Sequence, residues 1–295
     1  MTSQVEQAGD ARGTRGGVVA AWRRVHGWSW WGRWLVKGGL VAVTCALALY
    51  PKVWLIPTWV GRLRNLNGVL DPECPGLADL EADVRAGVGD EATPEAVRKA
   101  VEATVRTRIP YAFDWETWGV MDYLPTVAEA LELGREDCDG RAVVAASLLR
   151  RMGQEAWLAS DLKHVWVVTP EGELMSPGKG AKAMVGGESG TKTAVSWATL
   201  ASLGRAATFG VAVFPVGREL LMLAALCVAA MQPNSQRWRR VAGCLVLLVA
   251  LIVLRAAGAS AEALAAQPVF VWVGLAAALA GWLLLVVGVR PRGGG

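Results

Sequence analysis

Cys138 and His164 are the side chains of this sequence that could together carry out nucleophilic chemistry. A broad apolar pattern predicts a helix from Asp137 to Met152, and Cys138 lies in its first turn. A cysteine in the first turn of a helix faces unpaired backbone N–H groups and the positive end of the helix dipole, which favour a thiolate and could also hold an oxyanion. We therefore interpret Cys138 as a candidate nucleophile.

A cysteine nucleophile needs a proton acceptor in its own compartment. The chain has two histidines, His26 and His164. His26 precedes the first apolar segment, and the charge pattern described below predicts that it lies on the other side of a membrane from Cys138. His164 opens a predicted strand that runs to Thr169, so His164 is the predicted general base.

The elements around these two residues predict an α+β fold. Before Cys138, the periodicity and the capping residues indicate helices at 76–86, from Thr93 to Pro110 and at 125–133. After the Cys138 helix, strands are predicted at 155–159 and 164–169, with an antiparallel return at 173–176 through the turn Pro170-Glu171-Gly172. Helices followed by a sheet indicate segregated α and β layers.

Three segments together resemble the core of the transglutaminase-like superfamily, which shares the papain-like arrangement: Glu136–Ala142, Leu148–Gly153 and His164–Val167. In that family a Gly-Asp-Cys stretch begins a helix that ends in Leu-Arg-x-x-Gly, and a His-x-Trp strand follows. The resemblance covers roughly Ala92 to Gly178. It implies a transglutaminase-like (papain-like) domain with Cys138 as nucleophile and His164 as base.

The third member of the family's catalytic set is usually an Asp in Leu-Asp-Pro on the next strand. Here the sequence is Leu174-Met175-Ser176-Pro177, so the resemblance assigns that place to Ser176. A serine hydroxyl can fix the tautomer of an imidazole, but it stabilises an imidazolium less than a carboxylate does. Asp161 and Glu173 remain alternatives for this role.

Each of these interpretations has a structural alternative. Cys138 could pair with Cys74 in a disulfide, and His164 could be a strand histidine bonded to backbone. The carboxylates on both sides of Cys138 could be only helix caps and solvated charges. Three aromatic residues that precede Cys138 could form the wall of a cleft or donate to an oxyanion, although core packing is the favoured role: Trp115, Trp118 and Tyr123.

The composition indicates that part of the chain lies in lipid. Hydrophobic residues make up 53% and the mean hydropathy is +0.33, values too high for a wholly soluble chain. Apolar runs long enough to span a bilayer, or nearly so, predict transmembrane helices at 35–56, 215–231, 241–257 and 269–289. The second of these has two charged residues, Arg218 and Glu219, near its beginning, at the outer interface. The remaining segments are a Trp- and Arg-rich stretch at 1–34, the transglutaminase-like domain at 58–178 and a Gly- and Lys-rich tether at 179–208.

The distribution of charge predicts the topology. Of 30 Lys and Arg and 26 Asp and Glu, the segment from Thr58 to Thr208 carries 16 and 22, so it is acidic while its flanks are basic. The basic residues outside it cluster before the first span, between the second and third spans, and after the last span. Because short cytoplasmic loops hold the excess of Lys and Arg, we expect a multi-pass membrane protein with both termini cytoplasmic and the acidic domain outside.

The same features exclude several functions. A nucleic-acid binder would have a basic folded module, and the folded module here is acidic. The stretch from Gly186 to Thr193 approaches a nucleotide-binding loop but has Thr191 where the second glycine is needed. The two histidines are in different predicted compartments and no cysteines have ligand spacing, which argues against zinc. We therefore expect no metal, no cofactor, no nucleotide and no nucleic acid as partners.

Two functions remain. The first is a membrane-anchored cysteine acyltransferase or hydrolase that acts on peptide or glutamine-type amide bonds of a substrate outside the cytoplasm, through a thioester. The second is a catalytically degenerate module of the cell envelope that binds a peptide or protein. The departure at Ser176 is the sequence feature that favours the second.

Overall fold

A computed structural model describes residues 20–89, 92–161, 164–176, 182–187, 190–194, 209–232, 235–259 and 268–287. Its contacts divide the chain into two units. The middle unit is Leu49–Ala207, and the flanking unit is Met1–Ala48 together with Thr208–Gly295. The boundaries of the middle unit enclose the predicted domain and part of the predicted tether.

The architecture is α+β, as the sequence predicted. Besides helical residues at 20–27 and 209–213, the helices in chain order are α1 (Trp30–Leu49), α2 (Ile56–Arg64), α3 (Leu77–Val88), α4 (Pro94–Arg108), α5 (Asp114–Thr117), α6 (Val127–Leu133), α7 (Cys138–Arg151), α8 (Val216–Ala230), α9 (Arg237–Ala259) and α10 (Pro268–Val286). The strands are β1 (Trp157–Ser160), β2 (Val165–Thr169), β3 (Gly172–Leu174), β4 (Met184–Gly187) and β5 (Gly190–Thr193).

Helices α4 and α6 of the middle unit begin where the sequence has capping residues. The Thr93 hydroxyl accepts from the N–H of Ala96, and Pro94 occupies the first position of α4. Thr126 and Glu129 satisfy each other's backbone N–H groups at the start of α6. These caps fix the directions of the helices that precede the cysteine.

Helix α7 is the centre of the middle unit. Its side chains from Ala142 to Leu149 are buried, and they pack with α3, α4 and the sheet in one apolar core. A helix that is buried on several faces must be covered on each of them, which is why α7 is enclosed by helices and by β2. The position of α7 therefore depends on the fold of the whole unit.

The sheet is antiparallel, with the strand order β3-β2-β1-β4-β5. Strand β2 is buried at every position. In the register of β1 with β2, Ser160 pairs with Val165. His164 therefore stands at the very beginning of the buried strand that packs on α7.

The prediction of a flexible tether at 179–208 is wrong for the residues of β4 and β5, which extend the sheet beyond β1. The low-complexity composition indicated a flexible segment, but small residues also fit where a sheet approaches other groups closely. Gly186 illustrates this, because a Cβ at this residue would lie 2.6 Å from Cγ of Asn67. The Asn67 amide oxygen accepts from the N–H of Leu158 at 3.1 Å, so this contact joins β1 to the segment after α2.

Within the described residues, the flanking unit has three helices that are long and apolar enough to cross a membrane: Trp30–Leu49, Arg237–Gly258 and Val269–Val286. These agree with three of the four predicted spans, although the first begins earlier and ends at Leu49 instead of continuing to Ile56. The reason is Pro51, after which the chain forms a short 3-10 turn and then α2. The tryptophans at 30, 31 and 34 therefore belong to the helix itself.

The remaining predicted span, 215–231, forms α8. Its 15 residues rise about 22 Å, which is less than the roughly 30 Å of a hydrocarbon core. Glu219 at its start is paired with Arg255 of α9, and the same guanidinium donates to the carbonyl oxygens of Val211, Ala212 and Phe214. Arg255 thus satisfies backbone groups where the helical turn at 209–213 ends.

We expect Gly186→Ala to lower the free energy of unfolding by about 1–3 kcal/mol, because the added methyl group would press on the Asn67 amide in a packed contact. Denaturant unfolding of the full chain in detergent would measure this. Gly87→Ala is the matched control, since nothing lies within 4 Å of a Cβ there. Equal effects of the two substitutions would contradict the close approach of Asn67.

Candidate active site

Cys138 is the first residue of α7 and is half-buried. Asp137 caps the helix, since its Oδ1 accepts from the N–H of Asp139 at 2.9 Å. The thiol donates to Oδ1 of Asp139 at 3.1 Å, and the backbone N–H of Val165 lies close enough to the sulfur to act against the rise of its pKa. Because Val165 directly follows His164, this proximity places the sulfur near the main chain beside the histidine.

His164 is oriented by contacts at both its backbone and its ring. Its backbone N–H donates to Oδ1 of Asp161 at 2.9 Å, and its ring stacks on Trp166 with centroids 6.4 Å apart. Nε2 of the imidazole is 2.8 Å from the carbonyl oxygen of Met175. A carbonyl can only accept, so Nε2 carries the proton and Nδ1 is the basic nitrogen of the neutral ring.

Met175 holds this carbonyl in an unusual backbone conformation. Its φ of 56° is the one positive value among the non-glycine residues that the structure describes. Such a conformation is unfavourable for a residue with a side chain and is maintained only where the surroundings impose it. Here it directs a main-chain oxygen to the histidine, which no sequence pattern could have predicted.

Ser176, the predicted third member, lies one residue beyond this carbonyl. Its hydroxyl donates to Oε2 of Glu173 at 2.6 Å, and Glu173 forms an ion pair with Lys182. The partner shown for the His164 imidazole is thus the backbone of Met175. Asp161 and Glu173 were the alternatives for the third catalytic residue. Asp161 accepts from the backbone N–H of His164, and Glu173 accepts from the hydroxyl of Ser176.

The structure also distinguishes between the alternatives for the cysteines, a disulfide or free thiols, and for the carboxylates on both sides of Cys138. Cys138 and Cys74 are both free thiols, and Cys74 is buried in the apolar core of the unit. Asp137 is a helix cap, as one of the structural interpretations held, but Asp139 is buried and contacts the thiol.

The aromatic residues before Cys138 divide into two groups. Trp118 points inward, where Nε1 donates to Oε1 of Glu136 at 3.0 Å and the ring contacts Tyr123. Trp115 stacks on Phe113 with centroids 4.4 Å apart, and Phe113 meets the exposed Tyr111 edge to face. A row of aromatic rings therefore lies on the segment that pairs with Glu136, two residues before the cysteine.

The electrostatic surroundings of Cys138 oppose a thiolate. Burial, and then the charges of Asp139 and Asp137, raise the pKa of the Cys138 thiol well above its usual value. Burial also raises the pKa of Asp137 to about 7 and, together with the charge of Asp137, that of Glu136 to about 8. The expectation of a thiolate favoured by the helix dipole is therefore outweighed by desolvation and by the flanking carboxyl groups.

Among the described residues, two overlapping groups of side chains are close enough to hold a cation. One is Asp137, Cys138 and Asp139, and the other is Asp114, Glu136 and Asp137. Glycine at position 140 makes the second group possible, because a Cβ there would lie 2.5 Å from Cγ and 2.7 Å from Cδ of Glu136. Asp114 was not recognised from the sequence, since it is 24 residues from Cys138 and only the fold brings it to Asp137.

We expect the pH at which Cys138 alkylation reaches half its maximal rate to lie above that of an ordinary thiol. Asp139→Asn should lower this pH, because it removes a nearby negative charge that disfavours the thiolate. Rates of iodoacetamide modification, followed by mass spectrometry of the Cys138 peptide from pH 6 to 10, would measure both. Glu132→Gln, at an exposed acidic residue of α6, should leave the profile unchanged.

Substitutions at Met175 test the orientation of the histidine. Glycine adopts a φ of 56° without strain, whereas a β-branched residue strongly disfavours it. We expect Met175→Gly to keep the alkylation rate of Cys138 at neutral pH and Met175→Val to reduce it by about tenfold, since the carbonyl would move away from Nε2. Both variants lose the methionine side chain, so a shared defect would indicate packing instead of orientation.

Comparison of the chain with protein-family models, with curated proteins and with solved structures finds no match in any of the three. The resemblance to the transglutaminase-like superfamily thus rests on the residues quoted above.

Proposed function

We propose that this chain is a membrane-attached, transglutaminase-like cysteine acyltransferase or hydrolase that acts on peptide or glutamine-type amide bonds. The observation that carries the proposal is the packing of α7 on β2, which places the Val165 N–H close to the Cys138 sulfur. The nucleophile at the helix start is thus near the residue that follows a histidine whose tautomer is fixed. Cysteine chemistry requires the nucleophile and base side chains to come within hydrogen-bonding reach of each other, and this packing supports such an approach.

The proposed mechanism begins from a neutral thiol. Because burial and the flanking carboxyl groups disfavour the thiolate, the proton must leave as the sulfur attacks the substrate carbonyl. Nδ1 of His164 would accept it, while the Met175 carbonyl keeps the other ring nitrogen protonated. The amide nitrogen then takes this proton and departs as an amine or ammonia, leaving a thioester on Cys138.

Resolution of the thioester needs a second nucleophile. Water would give hydrolysis and a primary amine would give acyl transfer, with His164 accepting the proton of either one and returning it to the Cys138 sulfur as the thioester C–S bond breaks. Backbone N–H groups at the start of α7 would stabilise the oxyanion in both steps. The aromatic row of Tyr111, Phe113 and Trp115 would receive the apolar parts of a peptide substrate.

The location of the site is part of the proposal. Three apolar helices are compatible with association with a bilayer. The positive charge of the segments around the helices and the negative charge of the middle unit support a position of the active site outside the cytoplasm.

The alternative function is a degenerate module that binds a peptide or protein of the cell envelope. Two observations favour it. The histidine has a carbonyl as its shown partner where the family usually has a carboxylate, and the pKa of the thiol is raised. An imidazolium is less stabilised by a carbonyl than by a carboxylate, so catalysis would be weak or lost.

A peptide that carries an electrophilic glutamine analogue would distinguish the two functions. For an enzyme we expect one covalent adduct on Cys138 of the full chain in detergent, with a rate that falls about 100-fold or more in His164→Ala because the general base is lost. His26→Ala is the matched control, since the only other histidine belongs to the flanking unit. Intact-protein mass spectrometry would give the rates.

An adduct that forms equally fast in wild type and His164→Ala would contradict the enzyme. If the same peptide, without the electrophile, still binds the wild-type chain in that case, the binding module is the better description. Cys138→Ala should abolish the adduct in either case and verifies the site of modification.

A further inference from the structure

Two buried carboxylate oxygens beside the candidate site have no hydrogen-bond partner among the residues that the structure describes. They are Oδ1 of Asp114 and Oε2 of Glu136, on residues that are 1% and 0% exposed. The other oxygen of each group is used, since Tyr123 N–H donates to Oδ2 of Asp114 at 2.6 Å and Trp118 donates to Oε1 of Glu136. Buried polar atoms are rarely left unsatisfied, so each orphaned oxygen requires an explanation.

These residues are brought together from two places in the chain, since Glu136 and Asp137 are adjacent and Asp114 is distant. Asp114 begins α5, Glu136 lies in the bridge between the 111 and 136 segments, and Asp137 caps α7. One carboxylate oxygen from each lies within 4.8 Å of the others. Among the residues that the structure describes, no Lys or Arg forms an ion pair with any of the three.

The backbone around the group is built to hold it. The Glu136 carbonyl accepts from Ala112 N–H at 3.2 Å, and its N–H donates to Pro110 at 3.1 Å, so the main chain at Glu136 is fixed on both sides. Gly140 leaves the space that the Glu136 side chain occupies. The carboxylates therefore cannot easily separate to relieve their repulsion.

We propose that Asp114, Glu136 and Asp137 bind one hard divalent cation, with water completing its coordination. The donors are carboxylate oxygens, which suit Mg²⁺, Ca²⁺ or Mn²⁺ and not the sulfur and nitrogen ligands typical of zinc. The neighbouring Cys138 thiol donates to Oδ1 of Asp139. This site differs from the zinc pattern that the sequence argued against, and it does not depend on the proposed thioester chemistry.

Binding of Mn²⁺ to the chelator-treated full chain in detergent tests the proposal, with the free ion measured by electron paramagnetic resonance. We expect one saturable site per chain, whose affinity falls at least about tenfold in Glu136→Gln because a charged ligand is lost. Asp114→Asn, which keeps an acceptor for Tyr123, should behave in the same way. Glu132→Gln, with the same change at an exposed position four residues earlier, should bind as wild type does. Competition by Mg²⁺ and Ca²⁺ identifies the preferred ion.

Thermal unfolding provides a second measurement that does not depend on the resonance signal. The cation should raise the Tm of wild type and of Glu132→Gln, since a ligand that binds only the folded state stabilises it. It should leave the Tm of Glu136→Gln unchanged. In chelator, Glu136→Gln should unfold at a temperature no lower than wild type, which shows that the variant is folded. Absence of a stoichiometric site in wild type, or equal affinities of Glu136→Gln and Glu132→Gln, would overturn the proposal and indicate that protons occupy the orphaned oxygens.

Discussion

The contact between the start of α7 and the start of β2 is the constraint on which the rest of the middle unit depends. A sulfur at the first position of a buried helix lies near the backbone N–H of Val165, and this is possible only if helix and strand meet at their N-terminal ends. The apolar faces of α7 are covered by other helices and by the sheet. A shift of the strand by one residue would present the opposite face and remove His164 from this end.

The same burial determines the chemistry that the site can perform. Removing a thiol and several carboxyl groups from water raises the pKa of each of them, and their proximity adds to the effect. A preformed ion pair of thiolate and imidazolium is therefore disfavoured. Proton transfer during the attack is the route that remains, and it makes the orientation of His164 by the Met175 carbonyl important.

Close backbone approaches explain residues whose role is not apparent from their type. Gly140 makes room for a buried glutamate, and Gly186 makes room for the Asn67 amide. In the flanking unit, a Cβ at Gly281 would lie 3.0 Å from the Gly243 carbonyl oxygen, so α9 and α10 are in backbone contact. Small residues at helix interfaces allow this approach, which favours association of helices in lipid.

Local signals in the sequence were sufficient for much of the fold. Capping residues and periodicity predicted α4, α6 and α7 with nearly correct boundaries, and hydropathy predicted three of the apolar helices, because these features depend on residues close in the chain. Cys138 and His164 could be selected from their types, their spacing and the scarcity of histidine. The transglutaminase-like assignment and the four-span topology remain predictions.

Tertiary structure decided what depends on distant residues. The Gly- and Lys-rich segment joins the sheet because β1 offers it an edge, and composition does not encode a partner. The conformation of Met175 and the meeting of Asp114 with Glu136 and Asp137 have no local signature either, since each is imposed by the packing around it. The sequence by itself thus determined which groups could react, whereas the packed fold decided their neighbours and, through burial, their charge.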